Sequence, residues 1–430
     1  MDSLLAARWQ MGLSLAFHII FAAIGMAMPV MMAAAEALWL RTGNATYLDL
    51  TRRWAKGTAI FFAVGAVSGT VLSFELGLLW PRFMEYAGPI IGMPFSLEGF
   101  AFFLEAIFLG IYLYGWDRVS GPVHLVAGIL VALSGAFSGM FVVTANAWMN
   151  TPAGFRAVDG HVVDVNPIAA MLNPAAGAQV LHMLLAAYMA VGLAVAGIHA
   201  RLLLIGGEHP LHRSALIVAL WVGLTPTVLQ PVSGDFAGRV VARTQPAKLA
   251  AMEGQFETEA RAPLRLGGVP DVETRQTPYA IEIPGGLSFL AHGDRDATVT
   301  GLNDVPRENW PPVLPVHLAF QLMSAIGTFL AGVAVWGAWL AWRRRVFTSR
   351  PFLRTLVVST PLGFVAIEAG WMVTELGRQP WIVQGVMRTS EAVTPMPGLV
   401  ASLAAVTAVY IALAVIVAAL IRRQVIETHP

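Results

Sequence analysis

Apolar runs long enough to cross a lipid bilayer recur along nearly all of this 430-residue chain. They limit the fold more than any single residue does. Roughly 20 mostly apolar residues span the hydrocarbon layer of about 30 Å. Nine such stretches stand out: 11–40, 57–80, 94–115, 122–148, 176–204, 214–232, 313–342, 352–374 and 397–421. Only helices and closed barrels satisfy their own backbone in lipid, and these runs are too long, and too uniformly apolar, for barrel strands. The expected fold is an all-α integral membrane protein of about nine transmembrane helices. Composition agrees, with 57% hydrophobic and 12% charged residues and a mean hydropathy of +0.66. A soluble domain carries about 25% charged residues.

The opening segment MDSLLAARWQMGLS lacks the basic start and short apolar core of a cleaved signal peptide, so it reads as the beginning of the first span. Helices 1–6 are expected in 1–232, one long polar loop in 233–312, and helices 7–9 in 313–430. Basic residues set the orientation. Fourteen of the 27 Lys and Arg lie at one set of span ends, five at the other and eight in the long loop. This puts the N-terminus and the loop outside and the C-terminus in the cytoplasm. No internal repeat is visible, which argues against a transporter built from inverted halves. A net charge of +1 gives no bulk attraction to nucleic acid. The absence of cysteine excludes disulfides, Cys-ligated iron–sulfur clusters and covalent c-type haem. Any redox cofactor must be held by His, Met, carboxylate or backbone.

Polar residues inside the apolar runs carry the chemical information, because each ionisable group at mid-membrane costs at least about 2.5 kcal/mol. His18 in LSLAFHIIFAAIG is a haem-iron ligand or a histidine bonded to a neighbouring helix. Glu98 and Glu105 in SLEGFAFFLEAIF are seven residues apart and share a helix face about 10 Å apart. That spacing suits a metal ligand plus a proton-relay group, or a polar stripe between helices. Glu368, Trp371 and Glu375 share another face, ending in Gly377-Arg378-Gln379-Pro380-Trp381. Arg378 can pair with Glu375, neutralise a haem propionate or sit in an interfacial belt. His182 and Met323 are candidate axial ligands of a six-coordinate haem, although most methionines in such helices are packing. Lys248 and Glu253 in QPAKLAAMEGQFET read, by themselves, as a solvated amphipathic segment.

Taken together, ARWQMGLSLAFH, EGFAFFLE, the helix around His182, QPAKLAAME and GWMVTELGRQPW resemble subunit I of the cytochrome bd family of quinol oxidases. The pieces fall in the family's order over nearly the whole chain. The resemblance implies three haems: a low-spin haem b on His182 and Met323, a high-spin haem b, and a haem d or a further haem b. His18, Glu98 and Glu375 would supply ligands around the oxygen-reducing pair. Glu105 would belong to a proton path, Trp371 and Arg378 would line the haem region, and Lys248 and Glu253 would bind quinol in the outer loop. Quinol would be oxidised at the outer face and oxygen reduced with cytoplasmic protons, without a pump. A second multi-helix subunit and often a single-helix one are implied as partners in a bacterial inner membrane. Two positions depart from the best-known members: Gln321 stands where an Arg is often found, and Glu75 where many carry Gln. Both resemble the cyanide-insensitive branch. Two rival readings remain at this point, a proton-coupled secondary transporter and a quinol-linked haem b protein that does not use oxygen.

Overall fold

The computed structural model describes residues 2–158, 161–207 and 209–423. Among the described residues nine helices are long and apolar enough to cross a membrane. They are α1 (Ser3–Thr42), α2 (Ala45–Leu79), α3 (Pro81–Tyr114), α4 (Gly121–Asn150) and, after the ribbon of β1 (Arg156–Val158) and β2 (His161–Val163) and the short α5 (Pro167–Met171), α6 (Ala176–Gly206) and α7 (Pro210–Thr244). After the polar segment come α10 (Val313–Trp342), α11 (Arg350–Arg378) and α13 (Leu399–Ile421). Each apolar run falls inside one of these helices to within two residues. Most of the helices are longer than their runs because they continue into polar residues; α10 matches its run and α13 is two residues shorter. Residues 424–430, assigned above to the inner side, lie outside the described residues.

One boundary is corrected. Helix α7 continues past 232 to Thr244, into the stretch read as loop. Its last turns, SGDFAGRVVART, are charged rather than apolar, and Asp235 accepts from Arg239 Nε at 2.9 Å across one turn. Hydropathy is blind to a helix that leaves the apolar layer while keeping such (i, i+4) pairs. The segment that follows is folded. It holds α8 (Pro246–Glu253), β3 (Glu259–Ala260), β4 (Leu264–Gly267), β5 (Ala280–Ile283), α9 (Gly286–His292) and β6 (Thr298–Val299). Strand β4 pairs antiparallel with β5, and β3 with β6. A last ribbon of β7 (Trp381–Val383) and β8 (Met387–Arg388), with α12 (Thr389–Ala392), closes the same end after α11.

Helix α6 lies at the centre and is packed closely by its neighbours. A Cβ on Gly192 would stand 2.5 Å from Gly223 Cα of α7, and one on Gly363 of α11 would stand 2.5 Å from Ala190 Cα of α6. Small residues at such crossings let helices associate by van der Waals contact where lipid removes the hydrophobic drive. Helices α6, α7, α10 and α11 form one bundle, and α1–α4 pack beside it, with α1 and α4 joining the two through α6.

Candidate functional site

Two histidines of different helices are held in the same way. His18 Nδ1 of α1 meets Ser68 Oγ of α2 at 2.9 Å, and Ser68 Oγ donates its own proton to the Val64 carbonyl at 3.0 Å. His182 Nδ1 of α6 meets Ser233 Oγ of α7 at 2.9 Å, and Ser233 Oγ donates to the Gln230 carbonyl at 2.9 Å. Each hydroxyl proton is thus engaged by a carbonyl, so each serine accepts from Nδ1–H. Nε2 is left without a proton, the tautomer that a second partner normally selects for a metal ligand. Gln230 Nε2 also lies 3.3 Å from the His182 ring nitrogens. Small residues make room beside these rings. A Cβ on Gly69 would lie 3.0 Å from His18 Cε1, and one on Gly234 would lie 3.4 Å from His182 Cε1. Met323 of α10 faces Gly370 of α11 in the same manner, with 3.1 Å between Sδ and the position of a Cβ.

The carboxylates are arranged along α4. Glu105 of α3 is buried, and its carboxyl lies 3.3 Å from where a Cβ on Gly135 would stand. Ser138 Oγ donates to Glu98 Oε1 at 3.4 Å. Asn146 Nδ2 donates to Glu375 Oε1 of α11, and Arg378 Nη2 pairs with Glu375 Oε2. Asn150 Nδ2 donates to the Asn146 carbonyl at 3.0 Å, and Lys248 Nζ donates to Asn150 Oδ1 at 2.8 Å. One rigid helix therefore meets Glu105, Glu98, Glu375 and Lys248 in turn. Gly135 and Asn150 stand roughly 22 Å apart along it at 1.5 Å per residue.

Lys248 and Glu253 are not solvated, contrary to what α8 suggests as an isolated stretch. Both are buried, at 4% and 3% exposure. The stem of Lys248 runs over Gly377, where a Cβ would stand 2.7 Å from Lys248 Cε. Burial, then the charge of Arg378, brings the lysine down to about 7, against an upward pull from Glu375. Burial lifts Glu253 to about 8, with Arg265 acting in the opposite sense. Just past α8 opens a cavity of about 300 Å³ lined by Gly254, Phe256, Glu257, Arg265, Thr277 and Glu282 among others, with Glu253 behind its wall rather than in it. The two residues face different ways: Lys248 toward the Asn150–Glu375 chain, Glu253 toward the β4 side of the segment.

Sequence reasoning missed His317, Asn146 and Asn150. His317 Nδ1 lies 2.8 Å from the Met252 carbonyl and Nε2 lies 3.1 Å from the Gly267 carbonyl. Gln321, one turn on, accepts from Gly267 N at 3.1 Å and donates to the Arg265 carbonyl at 2.9 Å. Both amide atoms of Gln321 are thus spent on strand β4. The polarity of His317 beside the loop was a signal in the sequence; the asparagines carried none. Trp371 is half-buried one turn before Glu375. Among the described residues no hydrogen bond or ion pair joins His182 to Met323, or His18 to Glu98 or Glu375.

This donor set fits haem. There are two imidazoles whose Nδ1–H is engaged by serine, a thioether, membrane carboxylates, and a buried guanidinium whose Nε and Nη1 lack any partner, as a propionate would require. The family model for cytochrome bd terminal oxidase subunit I matches residues 6–429. The chain belongs to the cytochrome bd terminal oxidase subunit I family. A solved structure of the bd oxidase from Geobacillus thermodenitrificans is 41% identical, with a TM-score of 0.93 over 100% of this chain and 99% of that one. A Bacillus subtilis (strain 168) protein provisionally named cytochrome bd menaquinol oxidase subunit I is 36% identical, covering 92% of this chain and 90% of its own length. The cytochrome bd ubiquinol oxidase subunit 1 of the same organism is 31% identical over 92% of this chain and 87% of its own length. The chain is thus a multi-pass membrane subunit of a respiratory terminal oxidase, a quinol:oxygen oxidoreductase that works with haem. It acts in a complex with other subunits. Neither the transporter nor the oxygen-independent reading accounts for these relationships.

Proposed function

We propose that the folded segment around α8 oxidises membrane quinol on the outer face of a bacterial inner membrane, and that α4 links that event to the oxygen-reducing site. The observation that carries this reading is the unbroken polar chain Lys248–Asn150–Asn146–Glu375–Arg378. Haem, when bound, supplies the one-electron carriers and the oxygen chemistry; the protein supplies ligands, orientation and proton access. His182 and Met323 hold a low-spin haem b, and His18, Glu98 and Glu375 serve a high-spin pair, haem b with haem d or a further haem b. Arg378 neutralises a propionate with its two free nitrogens, beside Trp371. The quinol head group enters the cavity beside Glu253, whose carboxyl accepts a quinol proton, and Lys248 fixes the potential around the chain. On the other side, Glu105 and Glu98 deliver cytoplasmic protons along one face of α3. The N-terminus and the α8 segment lie outside and the C-terminus inside. A second multi-helix subunit and a single-helix one complete the enzyme.

The test is a reduced-minus-oxidised optical spectrum of the purified complex, repeated with carbon monoxide and on His18→Ala and His182→Ala. His182→Ala should remove bands that ignore carbon monoxide, and His18→Ala those that respond. Loss of the same bands in both variants would overturn the separate assignments. Band positions decide between haem d and haem b, and turnover with menaquinol against ubiquinol decides the quinone.

A further inference from the structure

A second buried polar layer lies beside the His18–Ser68 pair and has no part in the scheme above. On α1, Gln10, Ser14 and His18 recur every four residues and so share a face; on α2, Ser68 and Glu75 are seven apart and do the same. At this layer Gln10 Nε2 donates to Glu75 Oε1 at 2.9 Å. Ser14 lies against both Glu75 and Tyr410 of α13, and the Tyr410 ring is stacked on Phe17 at 4.5 Å. All four polar residues are buried, with Ser14 fully so and Glu75 at 4% exposure. Four of their atoms have no partner: Gln10 Oε1, Ser14 Oγ, Glu75 Oε2 and Tyr410 Oη.

Burial and the absence of a cationic partner decide the protonation of this layer. An ionised carboxylate and an amide oxygen only accept; the two hydroxyls offer one proton each. Of the neighbours facing Glu75, α1 presents Gln10 and Ser14, which do not titrate, and α13 presents Tyr410. No described Lys, Arg or His forms an ion pair with it. A buried charge without a partner is expensive. The two hydroxyl protons can serve the two orphan oxygens either way, so it is this charge cost that favours the neutral acid.

We propose that Gln10, Ser14, Glu75 and Tyr410 form a proton-holding site separate from the Glu98–Glu105 stripe, in which Glu75 stands as a neutral carboxylic acid and answers the charge carried at His18. The inference rests on His18 being a haem ligand. Glu75 is about 10 Å along α2 from the serine that holds His18.

The experiment is redox-difference infrared spectroscopy of the haem-loaded complex in H₂O and D₂O. The native protein should show a carbonyl band of a protonated carboxylic acid that moves in D₂O. Glu75→Gln should abolish that band, Glu75→Asp should keep it displaced, and Tyr410→Phe should displace it by removing a neighbouring hydroxyl, all with unchanged haem optical bands. The proposal is overturned if Glu75→Gln retains every carboxylic-acid band, or loses those of an ionised carboxylate instead. Should Glu75→Gln fail to assemble, an unmoved band in Tyr410→Phe overturns it equally. The optical spectrum of His18→Ala checks the underlying reading by itself: if every haem band survives there, the ligand assignment has failed, whatever the infrared result.

Discussion

Ser68 and Ser233 sit in different helix pairs yet make one arrangement, a hydroxyl that donates back into its own helix and accepts from a histidine Nδ1. Loss of such an outer partner typically weakens a metal site 10–100-fold. Ser233→Ala should therefore deplete or shift the haem that ignores carbon monoxide, and Ser68→Ala the haem that responds, as read from haem content and optical bands. Gly377 makes a second residue-scale case, since a methyl group there meets the Lys248 stem at 2.7 Å. Overpacking of this kind costs about 1–3 kcal/mol. Gly377→Ala should lower the thermal stability of the complex and its quinol turnover, and Lys248→Ala added to it should restore stability but not turnover. Stability losses that simply add in a double-mutant cycle would contradict the contact. At Glu253, burial holds the carboxyl neutral until about 8. The proton-accepting form therefore accumulates as pH rises through that value, and kcat/KM for quinol should climb over the same range. Glu253→Gln should flatten that limb; a profile unchanged by the substitution would remove Glu253 from the reaction.

At the scale of elements, two residues of α10 tie down strand β4 of the folded segment. His317 and Gln321, a turn apart, grip the carbonyl and the amide of Gly267, where the strand bends with φ +69°. His317→Ala or Gln321→Ala should speed hydrogen exchange in β4 and β5 while leaving exchange in α10 unchanged. Equal protection would show that the ribbon is held by other contacts. This tie also shows where the sequence was silent. Helices of nearly uniform apolar character were legible because lipid permits little else, and Glu98, Glu105 and Glu375 were legible because charge there is costly. Asn146 and Asn150 were not, because an asparagine near a helix end is ordinary until its partner is known. The burial of Lys248 was hidden for a related reason, since its cover comes from α11, more than a hundred residues away. The end of α7 was misplaced because apolarity marks the membrane and not the helix.

For the whole molecule, the lack of cysteine makes orientation directly measurable. A single Asp294→Cys should be labelled by a membrane-impermeant maleimide in intact cells, and Thr348→Cys only after the membrane is opened. The reverse pattern would invert the topology and move quinol oxidation to the other face. The family relationship spans residues 6–429, so the two polar ends and the bundle between them act as one working unit. Helix α4 has a consequence for how that unit tolerates its surroundings. Glu105, Glu98, Glu375 and Lys248 all register against one uninterrupted rod of backbone, which resists stretching far more than it resists leaning. A bilayer that thickens or thins will tilt the rod but not change its graduations. The intervals between these four residues are therefore insulated from the lipid the cell happens to make, much as the marks on a ruler survive being held at an angle.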